Sequence, residues 1–437
     1  MRHIRTVAQL LLMLLVTPLL AAAQAKDMSN EERNQVEIML SQVARDVPKH
    51  YYDPKLHGVD WQAKVSQARE QIKQEKSLNL AMAHVAAALD SLNDSHTYLI
   101  PPSRPYTLDH GWTIQMIGDK CYVTRVRPNG DADTHGVKPG DQLVAINGYR
   151  IGGENLRKIE YAFNILRPLP ELTVTLRDPQ GAMRKAVLEA TFRQRAHAQD
   201  LDANTMMKMW LDEEDWIREQ RIRTVSYGDD LLIAKLPSFM FGQEDVDKLI
   251  SVARKHKALI LDLRQNPGGA VEMLNAMVSS LFDHNVKICD RVARDSTKAT
   301  LAKSNHHSFE GKLFVLIDSK SASAAELLAR VVQLEKRGIV IGDRSSGMVM
   351  EARMYSYQAG IDMLVFYGAA ITDANLIMTD GQSLEHVGVA PDEVAVASAA
   401  DLASGRDPVL AHAAEMAGLK ITPEDAGKLF PYEWPKD

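Results

Sequence analysis

Between Leu231 and Ile341 the chain alternates short apolar runs with amphipathic segments, and this pattern constrains the fold more than any other feature. Leu231 to Leu236, Ala258 to Leu263, Leu313 to Ile317 and Gly338 to Ile341 read as buried strands. Asp245 to His256, the stretch carrying Val271, Leu274, Met277, Val278 and Leu281, and Ala324 to Leu334 read as helices. Such alternation builds a largely parallel sheet with crossover helices.

The remainder of the chain is organised differently. With 437 residues, about three domains are expected at roughly 150 residues each. Residues 26–103 read as a helical region: Ser29 and Glu32 form a capping box, and Val36, Leu40 and Val43 follow at helical spacing. Trp61 and Val65 mark a second helix, and Met82, Val85, Ala86, Leu89 and Leu92 a third, which closes at Asn93-Asp94-Ser95-His96. Residues 104–195 carry short strands, among them Tyr122 to Thr124, Gln142 to Ile146 and the alternating Leu172 to Leu176. Residues 196–229 are expected to be a helical linker, 230–400 the α/β core and 401–437 a tail.

Arg2, His3 and Arg5 precede an apolar run from Val7 to Leu20, and Ala23-Gln24-Ala25 fits a cleavage site. Residues 1–25 therefore read as a signal peptide, with an uncleaved anchor helix as the alternative. The expectation is an exported protein, periplasmic or secreted, with no membrane span once the signal is removed. A net charge of −6 gives no bulk attraction for nucleic acid. Cys121 and Cys289 lack metal-ligand spacing and fall in different expected domains, so no bond between them is expected. No cofactor or metal is expected, and His306-His307 read as a solvated loop pair.

Two turns could carry chemistry. The strand ending at Ile317 runs through Asp318-Ser319-Lys320-Ser321-Ala322-Ser323 into a helix. A serine there faces unpaired backbone N–H groups and a helix dipole, suited to a developing negative charge. Ser321 or Ser323 could equally cap the helix, and Glu326 reads as first-turn charge complementarity. The second turn is Asp262-Leu263-Arg264-Gln265-Asn266-Pro267-Gly268-Gly269, whose glycines allow N–H groups to point into a site.

Taken together, the Asp-Leu-Arg-x-Asn-x-Gly-Gly and Ser-Ala-Ser-Ala-x-Glu segments resemble the C-terminal processing peptidase and tricorn-core family of serine proteases. Gly136 to Gly148 resembles the core of a PDZ domain, and Tyr52-Asp53, Val59-Asp60-Trp61 and Leu92 to Thr97 fit the family's N-terminal region. The likeness covers roughly residues 33–398. It implies a multidomain α+β fold: a helical region, a PDZ-like β-rich domain and an α/β protease core of the crotonase/ClpP-like kind.

The resemblance makes Ser323 the nucleophile. The processing-peptidase branch uses a lysine where this chain has Met348, and Lys320 and Lys336 lie off that position. The tricorn-like branch uses a histidine, which implies His96 as base, oriented by Ser95 and Glu385, with His386 as the rival base. Gly268, Gly269 and Ala324 are the implied oxyanion-hole residues. Gly111, Trp112, Thr113 and Ile114 are the implied peptide-binding segment, after His110, with Trp112 equally readable as packing. The resemblance thus implies a serine endopeptidase acting on unfolded or C-terminally exposed polypeptides. Its activity is expected to fall as pH drops through about 6.5. Met348 motivates the alternative, an inactive protease fold serving as a peptide-binding scaffold.

Overall fold

The computed structural model describes residues 27–194, 220–304, 307–360 and 364–434. The signal segment and most of the expected linker lie outside the described residues.

Three helices open the structure: α1 (Asn30–His50), α2 (Trp61–Gln74) and α3 (Leu78–Asp90). The capping box forms, with Ser29 N donating to Glu32 Oε2 at 2.7 Å and Glu32 N to Ser29 Oγ at 3.1 Å. Val36, Met39, Leu40 and Val43 of α1 are buried. After α3 the chain turns through Asn93, whose φ of 55° suits an asparagine, into the short strand β1 (Tyr98–Ile100).

The next unit is an antiparallel sheet of β2 (Trp112–Ile117), β3 (Lys120–Val126), β4 (Gln142–Ile146), β5 (Glu171–Arg177) and β6 (Met183–Glu189), in that order. Between β4 and β5 lies α4 (Leu156–Glu160), which runs into a π-helical turn. Leu172, Val174 and Leu176 of β5 are buried, with their threonine neighbours only partly so, the period-two pattern of a half-covered sheet. β2 is an edge strand.

The core follows as β7 (Arg223–Tyr227), β8 (Leu231–Lys235), α5 (Gln243–Ala253), β9 (Ala258–Asp262), α6 (Val271–Leu281), β10 (Val286–Ala293), β11 (Ser296–Ala302), β12 (Lys312–Ile317), α7 (Ala324–Leu334), β13 (Ile339–Gly342), β14 (Met350–Ala359), β15 (Val365–Met378), β16 (Glu393–Val394) and α8 (Pro408–Met416). The main sheet runs β7-β8-β9-β12-β13-β16, parallel except for β7 against β8. One face packs Leu259, Leu261 and Val315 with apolar residues of α5, α6 and α7. The other packs Ile233, Ile260, Phe314 and Leu316 with Val409, Leu410, Ala413 and Ala414 of α8. Both faces are covered, as a parallel sheet requires.

Two boundaries differ from the sequence reading. Arg223–Tyr227 is a strand of the core sheet rather than the end of a helical linker, closed onto β8 by the turn in which Asp230 N donates to Tyr227 O. The expected tail contains α8, which the main sheet needs to cover its second face. A second sheet, β1-β15-β10-β11 with β14 on β15, joins the helical region to the core. There β1 pairs with β15 at Leu99 opposite Ala369, which carries the Ser95-His96 turn to the core.

Candidate active site

The strand β12 ends at Ile317, and the turn that follows gives Ser321 and Ser323 different surroundings. Ser321 is fully buried, and its hydroxyl donates to Leu263 O at 2.8 Å and accepts from Asp318 N at 2.9 Å. That hydroxyl is committed to holding the turn. Ser323 keeps some exposed surface, and its Oγ has no hydrogen-bond partner among the described residues. Its φ of 55° and ψ of −118° are strained for a residue with a side chain, and such conformations persist only when the surroundings impose them.

The surroundings that impose it centre on Glu326. Its buried carboxylate accepts from Ser323 N at 3.0 Å, Met348 N at 2.9 Å, Gly347 N at 2.7 Å and Ser345 Oγ at 2.6 Å. Ser323 N also donates to Met348 O at 3.0 Å. Burial pushes the Glu326 carboxyl above the usual range, against the pull of these donors. Glu326 is therefore more than a dipole complement, contrary to the sequence reading: it ties the serine turn to the 345–348 loop. The signal was present, since the glutamate stands at the third helical position after Ser323, where a capping box places its acid.

The facing loop presses on Ser323. A Cβ on Gly268, at φ +94°, would lie 2.7 Å from Ser323 Cβ and 2.9 Å from Ala322 O, so glycine is required there. The loop is held by Asn266, which donates from Nδ2 to Leu236 O at 2.9 Å and accepts Gly268 N on Oδ1 at 2.8 Å. Of the expected oxyanion donors, Gly268 therefore has its N–H occupied, whereas those of Gly269 and Ala324 have no acceptor among the described residues. Behind the loop, Arg264 grips Asp262 at 2.8 Å and Asp407 at 2.7 Å. Burial pushes the Asp262 carboxyl up, but Arg264 and Lys235 outweigh it and hold the group well below the usual range.

The third element is the turn before β1. Asp94 Oδ1 accepts His96 N at 2.9 Å, Thr97 N at 2.7 Å and Thr372 Oγ1 at 2.7 Å, and its Oδ2 accepts Tyr51 OH at 2.7 Å. Ser95 donates to Glu385 twice, from N to Oε1 at 2.6 Å and from Oγ to Oε2 at 2.9 Å. Ser95 Oγ also lies 2.7 Å from His96 Nδ1. With the one hydroxyl proton given to the carboxylate, Nδ1 must be the donor, and Nε2 is left as the unprotonated nitrogen. Glu385 Oε2 also accepts Val349 N at 2.9 Å, one residue beyond the Met348 carbonyl that takes Ser323 N.

The Ser323 and His96 side chains make no hydrogen bond to each other here. Burial and the neighbouring Arg157 lower the His96 pKa to about 4, against Asp94, so the ring is neutral near pH 7. Burial raises the Glu385 carboxyl, opposed by His386 and by its three donors. The rival histidine, His386, is exposed and its Nε2 sits 2.9 Å from Asn93 O. Lys336 is exposed beyond α7, and Met348 contributes only backbone groups to the turn.

The peptide-binding segment differs from expectation. Gly111 N already donates to Asp109 Oδ1 at 2.8 Å, so this N–H is not open to a carboxylate. Trp112 packs against the apolar core, Ile114 is buried, and Thr113 Oγ1 pairs with Thr124 Oγ1 at 2.8 Å. His110 is buried on Leu169 O at 3.1 Å. β2 is the edge strand of its sheet, and there Met116 O accepts the Ser319 hydroxyl of the core turn.

A cleft of about 780 Å³ between this sheet and the core is lined by Arg125, Gln265, Pro267, Asp318 and Tyr432, but not by Ser323 or His96. Cys121 and Cys289 are free and buried. Among the described residues no three His, Cys, Asp or Glu side chains group as a metal site, and no helix is long and apolar enough to cross a membrane.

Residues 230–395 match the model of peptidase family S41, and residues 109–177 match that of the PDZ domain. The chain is 26% identical over 288 residues to the tail-specific protease of Haemophilus influenzae, covering 64% of this chain and 39% of that protein's length. It is 21% identical over 347 residues to the carboxy-terminal processing protease CtpA of Bacillus subtilis, covering 75% of this chain and 67% of the relative. The crystal structure of mature CPAF shares the fold, with a TM-score of 0.63 at 14% identity over 85% of this chain and 94% of that one.

Proposed function

We propose, from the membership of residues 230–395 in peptidase family S41 and the PDZ domain at 109–177, that this protein is a serine endopeptidase of unfolded or C-terminally exposed polypeptides. Ser323 is the nucleophile and His96 the base, with Ser95 and Glu385 orienting the base. The observation that carries this reading is the Glu385–Ser95–His96 chain, anchored through Val349 beside the backbone that holds Ser323.

The chemistry follows from the tautomer. Nε2 of His96 takes the Ser323 proton as Oγ attacks the scissile carbonyl, and the resulting oxyanion is met by the N–H groups of Gly269 and Ala324. The imidazolium returns the proton to the leaving amine as the C–N bond breaks, leaving an acyl-serine. Water then attacks the ester with His96 again as base, releasing the carboxyl product and restoring Ser323. Contact between Ser323 and His96 forms on substrate closure, since catalytic hydrogen bonds commonly tighten only in the complex.

Polypeptide substrates add to the edge of β2 through backbone hydrogen bonds. The N-terminal basic and apolar segment supports export, to the periplasm or beyond. The test is hydrolysis of a denatured protein by the wild type and by the Ser323→Ala and His96→Ala variants. Both variants lose hydrolysis while keeping the wild-type circular dichroism, and full activity in His96→Ala rejects this base.

Met348 favours one second reading, a protease fold without turnover that presents its PDZ domain to peptide tails. That reading predicts tail-peptide binding with no hydrolysis by the wild type.

A further inference from the structure

Arg157 sits on α4 inside the PDZ segment, yet its guanidinium reaches the relay. Its Nη2 donates to the backbone carbonyl of Ser95, and this is its only hydrogen bond among the described residues. Ser95 is therefore held at three points, its N and Oγ by Glu385 and its carbonyl by Arg157. The neighbouring Lys158 spends its charge on Asp90 at 2.7 Å, so Arg157 is the cation of α4 left for the relay. Arg157 as a whole keeps exposed surface, while enough protein surrounds the guanidinium for burial to lower its pKa.

Two consequences follow from this placement. A serine carbonyl fixed from one side and a carboxylate fixed from the other leave Ser95 Oγ one direction in which to accept from His96 Nδ1. A positive charge beside the ring also disfavours imidazolium and favours the Glu385 carboxylate. The charged and titratable groups around His96 are Arg157 from the PDZ segment, Asp94 from its own turn, and Glu385 with His386 beyond Ser95.

We propose that Arg157 is a positioning residue of the His96–Ser95–Glu385 relay, supplied by the PDZ segment to a base that lies outside it. This inference rests on the reading of His96 as the base. It makes the base competent only while α4 is docked against the Ser95 turn.

The experiment uses the full chain with Arg157→Gln, Arg157→Lys and Arg157→Ala, assayed on a denatured protein across pH, with His96→Ala alongside. Arg157→Gln is expected to lower kcat about 10- to 100-fold with KM changed less, as expected for a misplaced base. Its acid limb should move up by roughly one pH unit, because the cation opposing imidazolium is gone. Arg157→Lys keeps the charge and therefore the wild-type acid limb, and added guanidinium ion partly restores Arg157→Ala. Wild-type kcat and acid limb in Arg157→Gln, with His96→Ala inactive, overturn this inference alone. Full activity in His96→Ala instead overturns the reading on which it rests.

Discussion

Ser95 gives both its backbone N–H and its hydroxyl to the two oxygens of Glu385, at 2.6 and 2.9 Å, across 290 positions of sequence. This pair joins the helical region to the core at the point where the base must be oriented. Ser95→Ala removes the oxygen that accepts His96 Nδ1. It is expected to lower kcat by about 10²-fold or more with little change in melting temperature. Glu385→Gln turns an amide toward existing N–H donors and should lose a similar factor. Steady-state kinetics beside thermal denaturation separates these effects from unfolding.

The pH profile follows from the environment of His96. Its pKa lies near 4 in the folded protein, below the ordinary histidine value of about 6.5. The base therefore stays neutral as pH falls through 6.5, and activity is retained until the pH nears 4. The sequence expectation of a fall at 6.5 is displaced, because sequence shows neither the burial of the ring nor Arg157 beside it. Stability moves with the same group. Between these two pH values the unfolded chain binds the His96 proton and the folded one does not, so stability declines as pH drops through that window. A kcat/KM profile and urea melts at several pH values check both statements.

Glu326 is expected to be worth more to the fold than a helix cap. Glu326→Ala strands the N–H groups of Gly347 and Met348 and the Ser345 hydroxyl, and leaves Ser323 N with Met348 O alone. At about 1–3 kcal/mol for each buried donor left unpaired, part of it recovered by water, a loss of several kcal/mol follows. Glu326→Gln keeps the shape with fewer acceptors and should be milder in stability while still lowering kcat. Chemical denaturation with active-site titration reads both.

Gly268 and Gly181 offer a matched pair. Both have positive φ, at +94° and +96°, but a Cβ on Gly181 meets nothing within 4 Å, while one on Gly268 meets Ser323 Cβ at 2.7 Å. Gly181→Ala should cost roughly 1 kcal/mol and leave turnover intact. Gly268→Ala should abolish turnover, because the oxyanion loop or the nucleophile must move. Equal activity in the two variants contradicts the placement of this loop against Ser323.

Much of the core was legible because its signals are local. Ala324–Leu334 and the strand ending at Ile317 follow from apolar runs and small residues that need no partner to be read. The second sheet was not legible. The strand Met350–Ala359 leaves Met354 exposed and buries few of its residues, so no alternation marks it, and its partner is β15. Likewise α8 follows an Asp407-Pro408 start that sequence could show, but its role as cover for Ile260 and Phe314 depends on the assembled sheet. Within the site, Ser323, His96, Ser95 and Glu385 were named from motif resemblance. The occupied N–H groups of Gly268 and Gly111 depend on Asn266 and Asp109 rotamers, which no sequence pattern displays.

The most direct test of the central claim is labelling of the full chain with a fluorophosphonate, read by peptide mass mapping. One label per chain is expected, on Ser323, forming much more slowly in His96→Ala and Ser95→Ala than in the wild type. Absence of labelling at Ser323, or an undiminished rate in His96→Ala, would contradict it.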